Sequence, residues 1–269
     1  MKTIYHFSGA GNDFVVIDGR EGDVSAFREV PRIEALCKEY KTDGLMILGP
    51  GDAEVDFTME FYNPDGSGGM MCGNGGRCIV AFADYLGIKP SCHPELAEGS
   101  YLFMAPDGLH TGEILERPEE GLWIVRIKMI DVQGITPMLG GYFLNTGTRH
   151  FVKFVEDVEQ VDVDAEGKAL RWNEAFAPIG TNVNFVHVAP DGLHVRTFEK
   201  GVEGETLACG TGLTACALVA HHAGVPTATP GAYRLRARQD WLSVNFTPGA
   251  DEKFTDVYLT GPARLVEIR

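Results

Sequence analysis

The sequence has no long apolar run and few positive charges. No stretch approaches the roughly 20 apolar residues that a membrane-spanning helix needs, and no apolar segment follows Lys2, as it would in a signal peptide. Lys and Arg number 23 against 38 Asp and Glu, which gives a formal net charge of -15. Such a charge argues against nucleic acid and anionic membranes as partners. We therefore predict a cytoplasmic protein that acts on a small molecule.

The sequence also lacks the spacings of common metal and cofactor sites. It has no Cys-x-x-Cys or His-x-x-x-His pair, so no metal is predicted, and no lysine motif for pyridoxal phosphate is evident. Because the chain is long and has no export signal, its cysteines are expected to be reduced thiols. There are six of them: Cys37, Cys72, Cys78, Cys92, Cys209 and Cys216.

Two of the cysteines stand in the same local pattern. Each is followed by Gly-x-Gly and then by a long apolar run: Cys72-Gly73-Asn74-Gly75 in one case, and Cys209-Gly210-Thr211-Gly212 in the other. A glycine-rich turn that leads into a helix directs backbone N–H groups at an anion and stabilises a thiolate there. Two such loops predict a pair of thiols that work together.

The two cysteines lie 137 positions apart, about half the chain. The same offset carries Phe14 onto Phe151 and Phe61 onto Phe198. Chance among common residues is the alternative, but three matches at one offset favour two halves with a common plan. We place the lobes at residues 1–132 and 133–269, with the last strand able to cross to the first lobe.

The segments after the two Gly-x-Gly turns are apolar on nearly every side, which is typical of a buried helix. Strands must then wrap each helix. The predicted fold is therefore α+β, with two pseudo-symmetric lobes, each a curved mixed or antiparallel sheet around a central helix. Outside these cores, residues 30–40 read as an amphipathic helix, the acidic span 156–166 as solvated surface and residues 169–176 as a short helix.

Two thiols suit one kind of chemistry. Moving a proton from one face of a carbon to the other needs a base on one side and an acid on the opposite side. An α-amino acid that loses its α-proton gains charge on its carboxylate, and each well-placed N–H donor can stabilise it by about 3 kcal/mol. The pattern thus indicates a cofactor-independent epimerase or racemase.

Five motifs together are similar to those of the diaminopimelate epimerase family, and the resemblance covers nearly the whole chain. The motifs are Gly9-Ala10-Gly11-Asn12-Asp13-Phe14, Tyr62-Asn63-Pro64-Asp65-Gly66-Ser67, Cys72-Gly73-Asn74-Gly75-Gly76-Arg77-Cys78, Asn182-Val183-Asn184-Phe185 and Glu205-Thr206-Leu207-Ala208-Cys209-Gly210-Thr211-Gly212. The resemblance implies two similar lobes with the site between them. It also implies interconversion of LL- and meso-diaminopimelate, for lysine and peptidoglycan precursors, and a homodimer, which is common in the family.

The resemblance also implies roles for single residues. Cys72 and Cys209 would be the acid/base thiols, with His150 and Glu199 supporting catalysis. Glu199 would hold the α-ammonium group of the substrate. Further substrate-binding positions would be Asn12, Gly44, Asn63, Gly73, Asn74, Thr148, Asn182, Lys200, Gly210 and Thr211.

Three of these positions depart from the pattern of many family members. Lys200 stands where many have arginine, which keeps the charge but loses the bidentate fork. Thr148 replaces an asparagine, so a hydroxyl stands in place of an amide. Gly44 replaces a glutamine, so any contact there must come from the backbone. These departures concern the grip on the distal carboxylate.

Two other functions fit parts of the pattern. A related two-thiol racemase would act on proline or hydroxyproline, but such enzymes usually carry a histidine where this chain has Asn74. A non-catalytic binding protein or a thiol-free isomerase of the same fold is the third reading, and the presence of both cysteines argues against it.

Overall fold

The computed structural model describes residues 2–69, 71–91 and 96–269, so Met70 and Cys92 lie outside the described residues. The chain forms two compact units. The first comprises Met1–Ile127 with Gly261–Arg269, and the second comprises Lys128–Thr260. The division into 1–132 and 133–269 stays a prediction, and the units described below are those of the structure.

The strands of the first unit pair in a closed ring. They are β1 (Ile4–Gly9), β2 (Asn12–Asp18), β3 (Gly44–Pro50), β4 (Phe57–Tyr62), β5 (Ser100–Ala105), β6 (Gly108–Glu119), β7 (Leu122–Lys128) and the end of β17 (Lys253–Ile268). Neighbours pair in chain order, in parallel between β2 and β3 and between β4 and β5, and otherwise antiparallel. The end of β17 pairs with both β7 and β1 and closes the ring.

Helix α2 (Gly73–Tyr85) lies inside this ring, and every residue from Gly73 to Ala83 is buried. A helix that is apolar on all sides has no face to offer to water, so the sheet curves around it. Helix α1 (Val30–Tyr40) packs on the outer face of the sheet. The side chains of β2 alternate accordingly, because Val15 and Ile17 join the cluster under α1 while Phe14 reaches toward α2.

The second unit repeats this plan. Its strands are β8 (Val132–Gln133), β9 (Thr136–Met138), β10 (Gly141–Asn145), β11 (Arg149–Phe154), β12 (Asn182–Ala189), β13 (Gly192–Glu199), β14 (Gly204–Thr206), β15 (Ala232–Arg236), β16 (Trp241–Pro248) and the start of β17. The succession from β10 through β11, β12, β13, β15 and β16 to β17 has the same parallel and antiparallel pairings as β1 to β7. Helix α4 (Gly210–His222) is the buried central helix. The predicted α+β class, with one buried helix in each sheet, is confirmed.

Helix α3 (Val163–Arg171) begins earlier than the sequence suggested. The predicted helix over residues 169–176 was wrong, because a separate 3₁₀ turn spans Glu174–Phe176. The acidic span is not wholly solvated either, since Val158 and Val163 are buried against Phe151 and Phe198. In the described parts of the chain, no helix has the length and apolar character needed to cross a membrane.

Candidate active site: two thiols at helix N-termini

Cys72 is the N-cap residue of α2, and its extended backbone turns the chain into the helix. Its Sγ accepts a hydrogen bond from the backbone N–H of Gly75 at 3.2 Å. The residue is exposed, while Gly73 and Asn74 behind it are buried. The first thiol is therefore presented to solvent at the positive end of a buried helix, as the glycine-rich pattern predicted.

Asn74 links this helix start to the turn between β1 and β2. Its Nδ2 donates to Oδ1 of Asn12 at 2.6 Å. Its Oδ1 accepts from Nη2 of Arg77 at 2.9 Å. The structure thus brings Asn12 next to the first thiol loop, which contains Asn74.

Arg77 lies in the Cys72–Cys78 motif and is a functional candidate to which the sequence alone assigns no role. Its side chain is completely buried, and it donates to backbone carbonyls of Gly73 at 3.1 Å, Gly9 at 3.3 Å and Pro262 at 3.3 Å. A buried guanidinium keeps its charge, so a fixed positive charge lies below the first turn of α2. Only the fold reveals two of these contacts, because Gly9 and Pro262 lie far from Arg77 in the sequence.

Two further predicted residues of the first unit, Asn63 and Gly44, make close contacts with neighbouring residues. Nδ2 of Asn63 donates to Oγ of Ser67 at 3.0 Å within the loop that follows β4. Gly44 is buried, and a Cβ there would lie 2.6 Å from a ring carbon of Phe61. The same Cβ would lie 2.8 Å from the backbone carbonyl oxygen of Tyr62, so a larger residue at this position would require both Phe61 and the backbone to shift.

Cys209 is the N-cap residue of α4 and is only 8% exposed. Its Sγ lies 3.5 Å from the hydroxyl Oγ1 of Thr211. Gly210 and Thr211 open the helix, and the hydroxyl of Thr146 donates to the carbonyl of Thr211 at 2.9 Å. The second thiol thus repeats the helix-cap position of the first, but in a more enclosed setting.

His150 lies completely buried beside this second loop. Its Nε2 is 2.8 Å from Oγ1 of Thr148 and 3.0 Å from Oγ1 of Thr211. Its Nδ1 is 3.1 Å from Nδ2 of Asn184. Burial lowers the pKa of His150 to about 3, so the imidazole is neutral at physiological pH.

Asn182 joins two strands of the second unit. Its Nδ2 donates to the carbonyl of Arg149 at 2.9 Å, and its Oδ1 accepts from the backbone N–H of Lys200 at 2.8 Å. Glu199, at the end of β13, accepts from the hydroxyl of Thr206 at 2.9 Å. The side chain of Lys200 is exposed. Asn182 thereby holds the segment that carries Glu199 and Lys200.

The remaining described cysteines are buried in the cores of the units. Burial raises the pKa of the Cys37, Cys78 and Cys216 thiols. Thiols in such surroundings stay protonated and unreactive. Among the described cysteines, this separates Cys72 and Cys209 as the two at helix N-termini.

Comparison with known sequences points to a single family. Residues 4–105 and 142–266 match the family model described as diaminopimelate epimerase. A protein of that name from Chlorobaculum tepidum is 39% identical over 268 residues, covering 96% of this chain and 97% of its own. Another from Aquifex aeolicus is 38% identical over 281 residues, covering 96% of this chain and 93% of its own.

Solved structures with much lower identity share the fold. A Bacillus anthracis phenazine biosynthesis protein of the PhzF family has a TM-score of 0.75 at 11% identity, covering 100% of this chain and 98% of that one. A probable proline racemase from Agrobacterium radiobacter has a TM-score of 0.66 at 14% identity, covering 100% of this chain and 92% of that one. At such identities the likeness concerns the fold alone.

Proposed function

Because this chain belongs to the diaminopimelate epimerase family, we propose that it interconverts LL- and meso-2,6-diaminopimelate without a cofactor. In this reaction one thiolate removes the α-proton and becomes a thiol. The other thiol then delivers its proton to the opposite face of the same carbon and becomes a thiolate. The reverse reaction exchanges the two roles, and the product serves the synthesis of lysine and peptidoglycan precursors.

The observation that supports this proposal most strongly is the repeated position of Cys72 and Cys209. Each is the N-cap residue of a buried helix. In the proposed mechanism, the backbone N–H groups that follow, at Gly73-Asn74 and Gly210-Thr211, would bind the carboxylate of the reacting centre. Charge that develops there in the transition state meets donors that need no reorganisation.

The other substrate contacts are proposed from the same family pattern. Glu199 would hold the α-ammonium group. Asn12, Asn63, Asn182 and Lys200 would bind the distal amino acid centre, with Thr148 and the backbone of Gly44 in place of two amide side chains. A lysine at position 200 offers a point charge and lacks the planar guanidinium fork of arginine. We therefore expect it to bind the distal carboxylate less tightly than an arginine would.

The setting that we propose is the cytoplasm, with a small amino acid as the partner and a homodimer as the assembly. The net charge of -15 disfavours nucleic acid and anionic membranes. Light scattering of the purified protein tests the assembly independently of the activity.

One assay tests the function. The purified protein is incubated with LL-diaminopimelate in deuterated water without added cofactor, and exchange of the α-proton is followed by NMR. We expect exchange together with formation of the meso isomer. L-Proline is the parallel substrate: exchange with proline alone would assign the chain to the racemases, and exchange with neither would refute the enzymatic proposal.

Single substitutions test the two thiols. Cys72→Ala and Cys209→Ala should each lower epimerisation by about 10²- to 10⁴-fold, the usual contribution of one acid/base group. Cys37→Ala is the matched control, because this buried cysteine lies on the outer helix α1, and it should retain activity. Full activity in either thiol variant would contradict the two-thiol mechanism.

A further inference from the structure

Asn184 on β12 has a completely buried amide beside His150. Its Nδ2 donates to the carbonyl oxygen of Phe151 at 3.1 Å and lies 3.1 Å from Nδ1 of His150. Its Oδ1 accepts from the hydroxyl of Thr197 at 3.0 Å. Both N–H donors and one acceptor direction of this amide are thus used inside the second unit.

The partners fix which way the amide faces. A backbone carbonyl can only accept, so the group that faces Phe151 must be the NH₂ of Asn184. The reverse orientation would set the amide oxygen against the carbonyl oxygen of Phe151 in a buried site and leave that carbonyl without this donor, which is unfavourable. The second hydrogen of the same NH₂ group then points at Nδ1 of His150.

This orientation decides the tautomer of the histidine. Nδ1 accepts from Asn184, so the single proton of the neutral imidazole is on Nε2. The low pKa of the buried His150 keeps the ring neutral. Nε2–H is therefore a permanent donor, directed at the hydroxyl oxygens of Thr148 and Thr211.

The hydroxyl of Thr211 receives this donor and has one hydrogen to give. Two acceptors lie within reach, Oγ1 of Thr148 at 3.1 Å and Sγ of Cys209 at 3.5 Å. A charged acceptor makes the stronger bond, so the hydrogen turns to the sulfur when Cys209 is a thiolate. When the sulfur is protonated, the hydrogen is released to Thr148.

We propose that Asn184 is a positioning residue for the reaction of Cys209, acting through the Nε2–H tautomer of His150 and the hydroxyl of Thr211 on the thiolate. This inference rests on the proposed function in so far as Cys209 is an acid/base thiol. It changes the role expected for His150: a ring with its proton on Nε2 does not take a proton from Thr211 or Cys209. His150 supports the thiolate as a donor and does not act as its base.

The ionisable groups near this sulfur include His150 from β11 and Cys216 from α4 itself. His150 is neutral, and burial raises the pKa of Cys216, so that thiol stays protonated. Neither group carries charge at neutral pH. The hydroxyl of Thr211 and the N-terminus of α4 are two neutral features of this unit that favour the anion.

The tautomer is tested directly by ¹⁵N NMR of the histidine side chains, with His150→Gln used to assign the signal. We expect the wild-type ring to show a protonated Nε2 and an unprotonated Nδ1 from pH 5 to 8. In Asn184→Asp, which has the same shape, the carboxylate should reverse the pattern and place a proton on Nδ1. A wild-type ring with the proton on Nδ1, or one that titrates in this range, would overturn the proposal.

The effect on the thiol is tested with Thr211→Val and Thr211→Ser, which keep the backbone N–H of residue 211. The ¹³Cβ signal of Cys209, assigned with Cys209→Ser, reports its thiolate-to-thiol ratio. At fixed pH this ratio should fall about tenfold in Thr211→Val, the loss of one hydrogen bond to a charged group, and recover in Thr211→Ser. An unchanged ratio in the valine variant, or a serine variant as low as the valine variant, would refute the relay.

Kinetics supply a second readout. Thr211→Val should lower kcat about 10-fold with little change in KM, because the carboxylate contact belongs to the backbone, and Thr211→Ser should restore kcat. The NMR experiments need no turnover. A wild-type protein without epimerase activity would therefore remove the proposed function, while the tautomer and the thiolate ratio would still decide the inference about Asn184.

Discussion

Arg77 and Thr214 occupy equivalent positions of the two central helices, 137 residues apart. Arg77 donates to the carbonyl of Gly73 at 3.1 Å, and Thr214 donates to the carbonyl of Gly210 at 3.0 Å. The first helix start therefore carries a buried positive charge, while the second has a neutral hydroxyl at the same place. Residue by residue, the two thiol loops have the same backbone plan but different electrostatic surroundings.

Replacing Arg77 tests how much the first unit depends on this charge. Arg77→Met removes the donors to Gly9, Gly73, Asn74 and Pro262, and the acceptors stay buried. We expect the free energy of unfolding to fall by about 3 kcal/mol or more, measured by denaturant titration. Thr214→Val, which removes one hydrogen bond, is the matched variant and should cost about 1 kcal/mol. Equal losses would contradict the structural role of Arg77.

The buried His150 predicts a specific dependence of stability on pH. Its pKa is about 3 in the folded protein and about 6.5 when exposed, so the unfolded chain binds the proton first as pH falls. Stability is thus complete above pH 6.5 and declines below it, by about 2 kcal/mol at pH 5 from this group alone. His150→Gln should lose this part of the slope in denaturant titrations at several pH values.

The control for that experiment is His187→Gln, because His187 is a partly exposed histidine on β12. Comparison of the two variants separates the effect of losing the buried imidazole from the effect of replacing a histidine elsewhere in the same unit. A His150→Gln protein with the full wild-type slope would show that the buried imidazole is not the source.

The roles of single residues were the least predictable from the sequence. The thiols and Asn12 and Asn74 were identified because local motifs carry them. Arg77 and Asn184 lie in the same motifs, yet their roles depend on carbonyls supplied by β1, β11 and β17. Which carbonyl faces which side chain is set by strand register, and register is not readable from one motif.

Among the elements, the central helices were predicted well and α3 poorly. An unbroken apolar run admits only a buried position, so α2 and α4 followed from composition. The acidic span was interpreted as surface because charge is usually solvated. Acidic residues also favour a helix N-terminus: Oδ1 of Asp162 caps the N–H of Ala165 at 3.0 Å, and Asp164 and Glu166 occupy the first turn of α3.

Gly75 and Gly212 are equivalent glycines in the two central helices and predict opposite responses to alanine. A Cβ at Gly212 would overlap Oδ1 of Asn184 and lie 3.3 Å from Cε1 of His150. A Cβ at Gly75 would make only ordinary contacts, the nearest at 3.4 Å to Sγ of Cys72. Gly212→Ala should therefore lower the melting temperature.

Gly75→Ala is the comparison, and it should be neutral or stabilising by up to about 1 kcal/mol, the helix propensity difference between the two residues. Calorimetry of both variants gives the answer. A melting temperature that rises in both variants would contradict this prediction, because it would mean that Asn184 moves aside for the new methyl group without loss of stability.

For the molecule as a whole, the duplicated plan was predictable because it depends on two apolar helices and a common offset. The sequence also allowed the last strand to cross to the first lobe, but it did not show which residues cross or which strands they pair with. The first ring is closed by Gly261–Arg269, which is far from β1 and β7 in sequence. Pairing between such distant segments depends on three-dimensional packing, so a local sequence pattern does not predict which strands they join.

Removal of residues 261–269 tests this closure. The truncation exposes the edges of β1 and β7 and takes away the Pro262 carbonyl that accepts from Arg77. Hydrogen exchange should accelerate in β1 and β7, because unpaired edges lose their protection. Strands β11 to β13, whose pairings lie within the second unit, are the internal reference. Unchanged protection of β1 would contradict the closing role of β17.

The closure by β17 has a consequence for the order in which the protein is made. The ribosome releases β1 to β7 long before it releases residues 261–269, so the half of the protein synthesised first cannot complete its ring until this final strand emerges. The second unit has all of its pairing segments available before then. We therefore expect α2 to be covered by an incomplete sheet on the nascent chain, until residues 261–269 join the seven strands between Ile4 and Lys128.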